Sequence, residues 1–459
     1  MNKILEKFTK TIIHIILLFC SPSLSVASDI PKQKSFIVMD GSCCNGEESD
    51  PHAVHGIQTK SGAFILSGKI IDGSGYEDGF IIKVPHSLPD GQIFLHHEEE
   101  FNLDWTVIIG NANKRDGINA AADMEGAIFA GGYMQNQDDI INSYLVKLNE
   151  STGDLIWARS YPSEVKTKES AIEAVIRSAD NAILVAGVIN AEEGALEGFK
   201  SYGNPVSGDA FVMYFSEKQV TSKVAPESPI WKLEIKDALA VKHLEELPSG
   251  EGFLLALHGD EEPAMAKVMK ISLDGQPIWE LDVPEHGELT AIIVTKNGYF
   301  LSGHKADRFD GIDASISKIS LNGEFLWNKS FGNPKGGDLI FSGLDEGEPR
   351  LIYDECWGIT EFKNGLVLAC GTGIEHCEDL DQDLTSTCEN DPRTTWRSNL
   401  IHVDFSGNLI WQRASSFIFE GEEDEDLPST ASEWVFKTKS GNLASVVDLS
   451  FGVGLEILK

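Results

Sequence analysis

The chain has 459 residues, with 72 Asp and Glu against 37 Lys and Arg, so its net charge is −35. Its 42% hydrophobic content supports a sizeable core and excludes a wholly disordered chain. The charge argues against nucleic acids and anionic membranes as partners, since both are bound by clustered Lys and Arg, and it permits cations or basic partners. At roughly 150 residues per domain, the length alone predicts about three domains.

The first residues have the organisation of a secretory signal. Three lysines precede an apolar run at 12–19, and Ser25-Val-Ala27 supplies small residues for cleavage. We therefore predict a signal peptide at 1–27 and a secreted or periplasmic protein. Its removal changes the net charge from −35 to −37, because it carries three Lys and one Glu. No later segment has enough consecutive apolar residues to predict a transmembrane helix.

The cysteines fit an exported protein. Export permits disulfides, and one of the seven cysteines leaves with the signal. The remaining six are an even number, which fits three disulfides of undetermined connectivity. These candidates are Cys43, Cys44, Cys356, Cys370, Cys377 and Cys388.

One sequence pattern recurs along the rest of the chain. In four copies an alternating strand is followed by a polar turn and a second strand, with Gly four residues before Trp. Trp105 and Trp231 occupy the same place after longer insertions. The four clear copies end at Trp157, Trp279, Trp327 and Trp411.

A second pattern precedes the first: a strand, a turn with Gly or Asn, and a short apolar strand that mostly ends in Gly. It recurs seven times, which gives seven units of four strands, here named A, B, C and D. This predicts an all-β seven-bladed β-propeller forming a single domain at 28–459. The seven copies lie at 60–68, 124–131, 179–187, 249–259, 296–303, 363–371 and 439–446.

The two ends of the chain complement each other. Blades one to six occupy 52–415, and the last unit at 432–459 ends after its C strand. The mature N-terminus begins with a lone strand at 35–39. We predict that this strand is the D strand of blade seven and closes the ring, which removes an open sheet edge.

The tryptophans are best interpreted as packing residues between blades. The Lys-Leu-x-x-x-Thr-Gly-x-x-x-Trp form ending at Trp157 resembles the tryptophan-docking repeat of pyrroloquinoline-quinone-type propellers. That superfamily includes quinoprotein alcohol dehydrogenases and cofactor-free propellers such as an outer-membrane assembly lipoprotein. The other copies are similar to repeats of secreted bacterial propellers. The resemblance covers most of 35–459 and implies the fold more than an activity.

The resemblance also supplies an alternative function, a quinone-dependent oxidoreductase or another propeller enzyme with a metal in the channel. Those dehydrogenases carry a disulfide between adjacent cysteines over the cofactor, and Cys43-Cys44 is similar. The chain departs from them because it has seven units where they have eight, and it shows no clear match to their cofactor and calcium ligands.

The strand order sorts the loops between two faces. B-to-C and D-to-A connections lie on one face, and all six mature cysteines fall there. We predict that Cys43 or Cys44 bonds to a blade-six cysteine and staples the closure, with Cys377 to Cys388 as a local bridge. A Cys43–Cys44 disulfide is the alternative. The same face carries the longest insertions, which are 188–208, 333–355, 372–398 and 412–432.

Two groups of acidic residues could attract cations on this face. Asp379, Asp381 and Asp383 alternate as calcium ligands do, although a solvated acidic loop is the alternative. The second group lies where A strands enter the channel, and its alternative is the general acidic excess. His52 and His55 should point to opposite sides of a strand, so they are not a zinc pair. The channel group comprises Asp50, Asp116, Glu173, Glu288, Asp354 and Glu433.

No Gly-x-Ser-x-Gly elbow and no phosphate loop occurs in the sequence. The pattern therefore favours a non-enzymatic binding or interaction scaffold that uses the face of the blade-three and blade-six insertions. A cation such as calcium, a carbohydrate or a protein could be the ligand, and the sequence does not choose among them.

Overall fold

The regular structure is almost entirely β-strand, in sheets that repeat around one axis. The computed structural model includes one helix among its described residues, Glu217–Thr221, and no described helix is long and apolar enough to cross a membrane. Residues Lys32–Lys459 form one compact unit. The structure describes residues 30–40, 50–71, 75–95, 102–196, 206–248, 250–259, 266–306, 312–332, 339–341, 349–351, 353–373, 396–415, 430–449 and 452–459.

The protein is a seven-bladed β-propeller of four-stranded antiparallel sheets, as the sequence predicted. Strands A to D follow one another in each blade. In blades one to three they are Asp50–Gln58, Phe64–Ile71, Glu77–Val84 and Trp105–Ile109; Asp116–Met124, Ala127–Gln135, Ile141–Asn149 and Leu155–Ser160; Glu169–Arg177, Ile183–Ala191, Asp209–Phe215 and Trp231–Ile235. In blades four and five they are Ala238–Glu246, Phe253–Gly259, Ala266–Ile271 and Pro277–Asp282; Glu288–Thr295, Gly298–Ala306, Ile312–Ile319 and Phe325–Phe331. In blades six and seven they are Tyr353–Phe362, Gly365–Gly373, Arg397–Asp404 and Leu409–Ser415; Thr430–Lys437, Leu443–Leu449, Gly452–Leu458 and Gln33–Asp40.

The N-terminal strand closes the ring, which confirms the predicted closure. Gln33–Asp40 pairs antiparallel with Gly452–Leu458, and Lys32 and Lys459 exchange backbone hydrogen bonds of 3.0 and 2.9 Å. A further strand, Gly91–Leu95, pairs in parallel with the outer side of Gln33–Asp40. It comes from the insertion between strands C and D of blade one, so blade one covers the edge of blade seven. A short hairpin, Leu339–Phe341 and Pro349–Leu351, lies between blades five and six.

The hydrophobic core lies between neighbouring blades, because each sheet buries both faces. One cluster joins Phe129 of blade two to Phe211 and Phe215 of blade three, and another joins Leu184 of blade three to Leu255 of blade four. Each large side chain buried in this way contributes about 1.5–3 kcal/mol. The stacking of blades therefore supplies the core that a single blade could not.

The D-strand tryptophans contact the next blade. Trp105 of blade one lies against Gly153 of blade two, where an added Cβ would approach the indole ring to 2.9 Å. Its Nε1 donates to the Glu150 carbonyl at 3.0 Å. Trp157 donates instead to the Ser222 carbonyl at 3.3 Å, after the short helix that blade three has in place of the turn. The same glycine contact is made by Trp231 with Gly275, Trp279 with Gly323 and Trp327 with Gly407.

The A strands surround the axis, and each contacts the A strand of the next blade around the complete ring. Every A strand carries a β-bulge at an equivalent place, where one extra residue bends the strand and redirects a side chain. These bulge residues form a level of the channel. They are Val54, Asn119, Glu173, Lys242, Thr290, Trp357 and Glu433.

Candidate functional site

The face with the B-to-C and D-to-A connections is called here the loop face, and the opposite one the turn face. Seven residues that the sequence analysis singled out on the loop face lie outside the described residues, as do most of the long insertions. The calcium site and the closure staple therefore stay predictions. These residues are Cys43, Cys44, Cys377, Cys388, Asp379, Asp381 and Asp383.

Two of the candidate cysteines form a disulfide. Cys356 and Cys370 are cross-strand partners in strands A and B of blade six, with Cα atoms 3.9 Å apart, and both are buried. The sequence left this pairing open. It holds two strands of one blade together, so only Cys377 and Cys388 remain as blade-six partners for a staple to Cys43 or Cys44. The predicted staple and the predicted Cys377–Cys388 bridge therefore cannot both form, and the combination of the two was wrong.

Aromatic side chains close the channel. The rings of His243 in blade four and Trp434 in blade seven lie 5.2 Å apart. These blades are not neighbours in the ring, so the contact crosses the axis. Trp434 also lies 4.8 Å from the ring of His55 in blade one. The channel is therefore divided at this level into a part toward the loop face and a part toward the turn face.

The bulge residues make a polar level on the loop-face side of this closure. Asn119 donates to Glu173 Oε1 at 3.0 Å, and Lys242 Nζ lies 4.0 Å from Glu173 Oε2. Thr290 Oγ1 donates to the Cys356 carbonyl at 2.7 Å. Glu173 and Glu433 are both buried here. An amide, a hydroxyl, carboxylates and an ammonium thus lie around one opening, and such a set suits a polar ligand.

Asp116 and Glu288, two of the other predicted channel acids, bond to groups outside the polar level. The side chain of Asp50 lies outside the described part of the structure. Asp116 accepts from the Gln135 and Asn111 backbones, and burial raises its pKa to about 6 although these bonds oppose the rise. Glu288 lies 2.9 Å from His304 Nε2, and Asp354 is buried. Among the described residues, no group of three or more His, Cys, Asp or Glu could hold a metal ion.

His52 and His55 point to different blades. His52 Nδ1 lies 2.9 Å from Asp448 of blade seven, whereas His55 Nδ1 accepts from the Ala121 backbone of blade two at 3.3 Å. Two further histidines lie in the B strand of blade four and in the loop from strand D of blade four to strand A of blade five. Burial lowers the pKa of His286 to about 3 and of His258 to about 4, so both are neutral at pH 7. His258 and His286 are therefore packing residues and not acid–base catalysts at neutral pH.

A buried polar cluster joins blades one and two near the loop face. Glu77 accepts from Lys69 at 2.8 Å and from the Tyr133 hydroxyl at 2.9 Å, and Arg115 Nε lies 3.7 Å away. Burial raises the pKa of Tyr133 well above its usual value. The sequence did not predict this cluster, because its four residues come from three strands and a connecting loop. Its carboxylate is fully engaged, so it fixes the two blades together.

Two tryptophans lie together on the loop face. The rings of Trp357 and Trp396 are 6.2 Å apart, and both side chains are half-buried. Both rings approach Gly371, where an added Cβ would lie 2.7 Å from Trp396 and 3.0 Å from Trp357. Trp357 is the bulge residue of blade six, so this aromatic pair borders the polar level of the channel.

The sequence contains a signal for this site in the tryptophans that fall outside the repeat. Six of the nine tryptophans occupy the repeated D-strand position, which leaves three that do not. All three belong to the channel or its border: Trp357 and Trp396 at the loop face, and Trp434 in the closure. A tryptophan outside the repeat is therefore the residue to examine for function.

The chain was compared with known proteins. No protein-family model matches it, and no curated protein matches it. It is similar to a solved protein of unknown function from Bacteroides caccae, at 12% identity over 80% of this chain and 94% of that one, with a TM-score of 0.37. BamB from Moraxella catarrhalis is 9% identical over 89% of this chain and 100% of that one, with a TM-score of 0.36. Quinohemoprotein alcohol dehydrogenase from Comamonas testosteroni is 8% identical over 92% of this chain and 68% of that one, with a TM-score of 0.44. None of these likenesses assigns a function.

Proposed function

We propose that the protein is an exported, non-enzymatic binding scaffold whose loop face takes a neutral carbohydrate at the mouth of the channel. The observation that carries this proposal is the position of the tryptophans outside the repeat. Trp357 and Trp396 offer half-exposed indole surface, and Trp357 occupies the same bulge level of the channel as Asn119, Glu173 and Lys242. Sugar rings present apolar faces to indole rings and hydroxyls to amide and charged groups, so both halves of the ligand find partners.

The charge of the molecule favours a neutral ligand over an anionic one. The chain carries −35, and the polar level contains two carboxylates for one ammonium. The negatively charged protein would repel an acidic glycan, whereas a neutral glycan experiences no such repulsion. Among the described residues no group of three or more His, Cys, Asp or Glu could hold a metal ion, and burial lowers the pKa of His258 to about 4 and of His286 to about 3.

Calorimetric titration with a panel of neutral oligosaccharides tests the proposal. Trp357→Ala and Trp396→Ala should each weaken binding at least tenfold, because each removes one side of the aromatic pair. Ile278→Ala is the matched control, since this exposed residue lies on the outer strand of blade four and binding should be unchanged.

Two outcomes would contradict the proposal. The first is that no neutral oligosaccharide binds, and the second is that both tryptophan variants bind as the wild type does. The alternative function has its own readout. A visible absorption band after addition of pyrroloquinoline quinone and calcium, together with alcohol oxidation measured by dye reduction, would support the oxidoreductase instead.

A further inference from the structure

The channel continues beyond its aromatic closure toward the turn face. Glu245 follows His243 by two residues in blade four, and Phe436 follows Trp434 by two residues in blade seven. Both strands are regular there, with Glu245 opposite Leu254 and Phe436 opposite Ala444 in their own sheets. Residues two apart on a regular strand point the same way. Since the His243 ring reaches the axis, Glu245 lies one step, about 7 Å, further along the channel, whereas the Phe436 ring packs 6.2 Å from that of Phe64 in blade one.

This level of the channel is otherwise uncharged. The equivalent positions of the other five A strands carry aliphatic side chains or a threonine, so Glu245 is the one charged residue among the seven. Most of these side chains remain partly exposed although they lie on the innermost strands, which means that solvent reaches them from the channel. The five residues are Ile57, Ala122, Ile176, Ile293 and Thr360.

Glu245 has no internal counterion. It makes no hydrogen bond or ion pair with any residue of the described chain. Burial raises its pKa to about 7, and no neighbouring charge contributes to that shift. A carboxylate that loses water without gaining a partner is costly to the fold, so its retention here points to a ligand.

We propose that the part of the channel beside Glu245 binds an organic cation with an apolar body, such as a primary alkylammonium. The carboxylate pairs with the ammonium group. The ring of aliphatic side chains receives the alkyl chain. His243 and Trp434 close the inner end, so the ligand enters from the turn face. This site is separate from the carbohydrate site proposed on the loop face and does not depend on it.

Three six-carbon probes, hexylammonium, 1-hexanol and hexanoate, distinguish the contribution of charge to binding from that of apolar contact. They are tested on the whole chain without the predicted signal peptide. Isothermal titration should show hexylammonium binding at least tenfold more tightly than 1-hexanol, and hexanoate should not bind. Glu245→Gln should reduce hexylammonium binding at least tenfold. The glutamine variant keeps the volume of the side chain, and its melting temperature verifies that it is folded.

The neighbouring carboxylate provides the matched control. Glu246 accepts from the Ala179 backbone and belongs to the opposite side of the strand, so Glu246→Gln should bind hexylammonium as the wild type does. The proposal is overturned if the wild type does not bind hexylammonium at millimolar concentration, if Glu245→Gln binds it unchanged, or if 1-hexanol binds equally well. The Trp357 and Trp396 variants should keep hexylammonium binding, so failure of one site is distinguishable from failure of the other.

Discussion

At the scale of single residues, Glu245 makes a prediction about stability that needs no ligand. Its pKa is raised from 4.5 in an unfolded chain to about 7 in the fold, so the folded state disfavours its ionised form. The resulting cost is absent below pH 4.5, grows as the pH rises through 7 and is complete above it. Glu245→Gln should therefore be more stable than the wild type at pH 8 by about 1–2 kcal/mol, a value reduced by solvent access from the channel.

Urea unfolding at pH 8 and pH 5 checks this expectation. The difference between variant and wild type should be much smaller at pH 5, because the folded wild type is protonated at this position there and the pH is only slightly above the unfolded pKa of 4.5. Glu246→Gln should show a smaller change between the two pH values, because burial also raises the pKa of Glu246 but this residue is less deeply buried. A glutamine variant that is equally stable or less stable than the wild type at pH 8 would show that Glu245 is solvated in the fold.

The repeat allowed some residues to be placed before the structure and not others. Trp105 and Trp231 could be assigned to their strands despite insertions, because the pattern around them recurs in the other blades. Glu245 could not be recognised as a channel residue, because the bulge at Lys242 shifts which side chains face the axis. A bulge leaves no sequence pattern that alternation can detect, since it is an interruption of the alternation itself.

At the scale of strands and turns, the glycine beneath four of the six D-strand tryptophans is the critical contact. Gly153 has φ +75° and lies under Trp105, whereas Gly126 of the same blade has φ +78° and has nothing within 4 Å of an added Cβ. Both substitutions to alanine strain the backbone by roughly 1–2 kcal/mol. Gly153→Ala should cost about 1–3 kcal/mol more, because it also displaces the indole ring from its contact.

Thermal unfolding of the two variants isolates the inter-blade contact from the backbone effect. The melting temperature of Gly153→Ala should fall clearly below that of Gly126→Ala. An equal fall in both would mean that the tryptophan and glycine contact contributes nothing measurable to the association of blades one and two.

Most of the strands could be predicted from the sequence, and each exception has a physical reason. The seven A-to-D units and the split last blade follow from the repeat and the two chain ends. The strand Gly91–Leu95 was missed, because its partner Gln33–Asp40 is far away in sequence and the pairing is parallel. The short helix Glu217–Thr221 was also missed, since it replaces a turn in one blade and therefore has no counterpart in the repeat.

At the scale of the whole molecule, one strand holds the two ends of the ring together. Gln33–Asp40 buries Phe36, Ile37, Val38 and Met39, each at most 1% exposed. At about 1.5–3 kcal/mol for each side chain, this burial amounts to roughly 6–12 kcal/mol. The total stability of a folded domain is about 5–15 kcal/mol, so the closing strand accounts for a large part of it.

Deletion of residues 28–40 should therefore abolish the cooperative thermal transition seen by calorimetry for the mature protein. A synthetic peptide of residues 30–40 added in excess should restore it, because the peptide can pair with Gly452–Leu458 and fill the same hydrophobic contacts. A peptide with the same residues in scrambled order is the control and should not restore it. A deletion variant that melts at the wild-type temperature would show that the six complete blades hold the ring without closure, and that the N-terminal strand is dispensable.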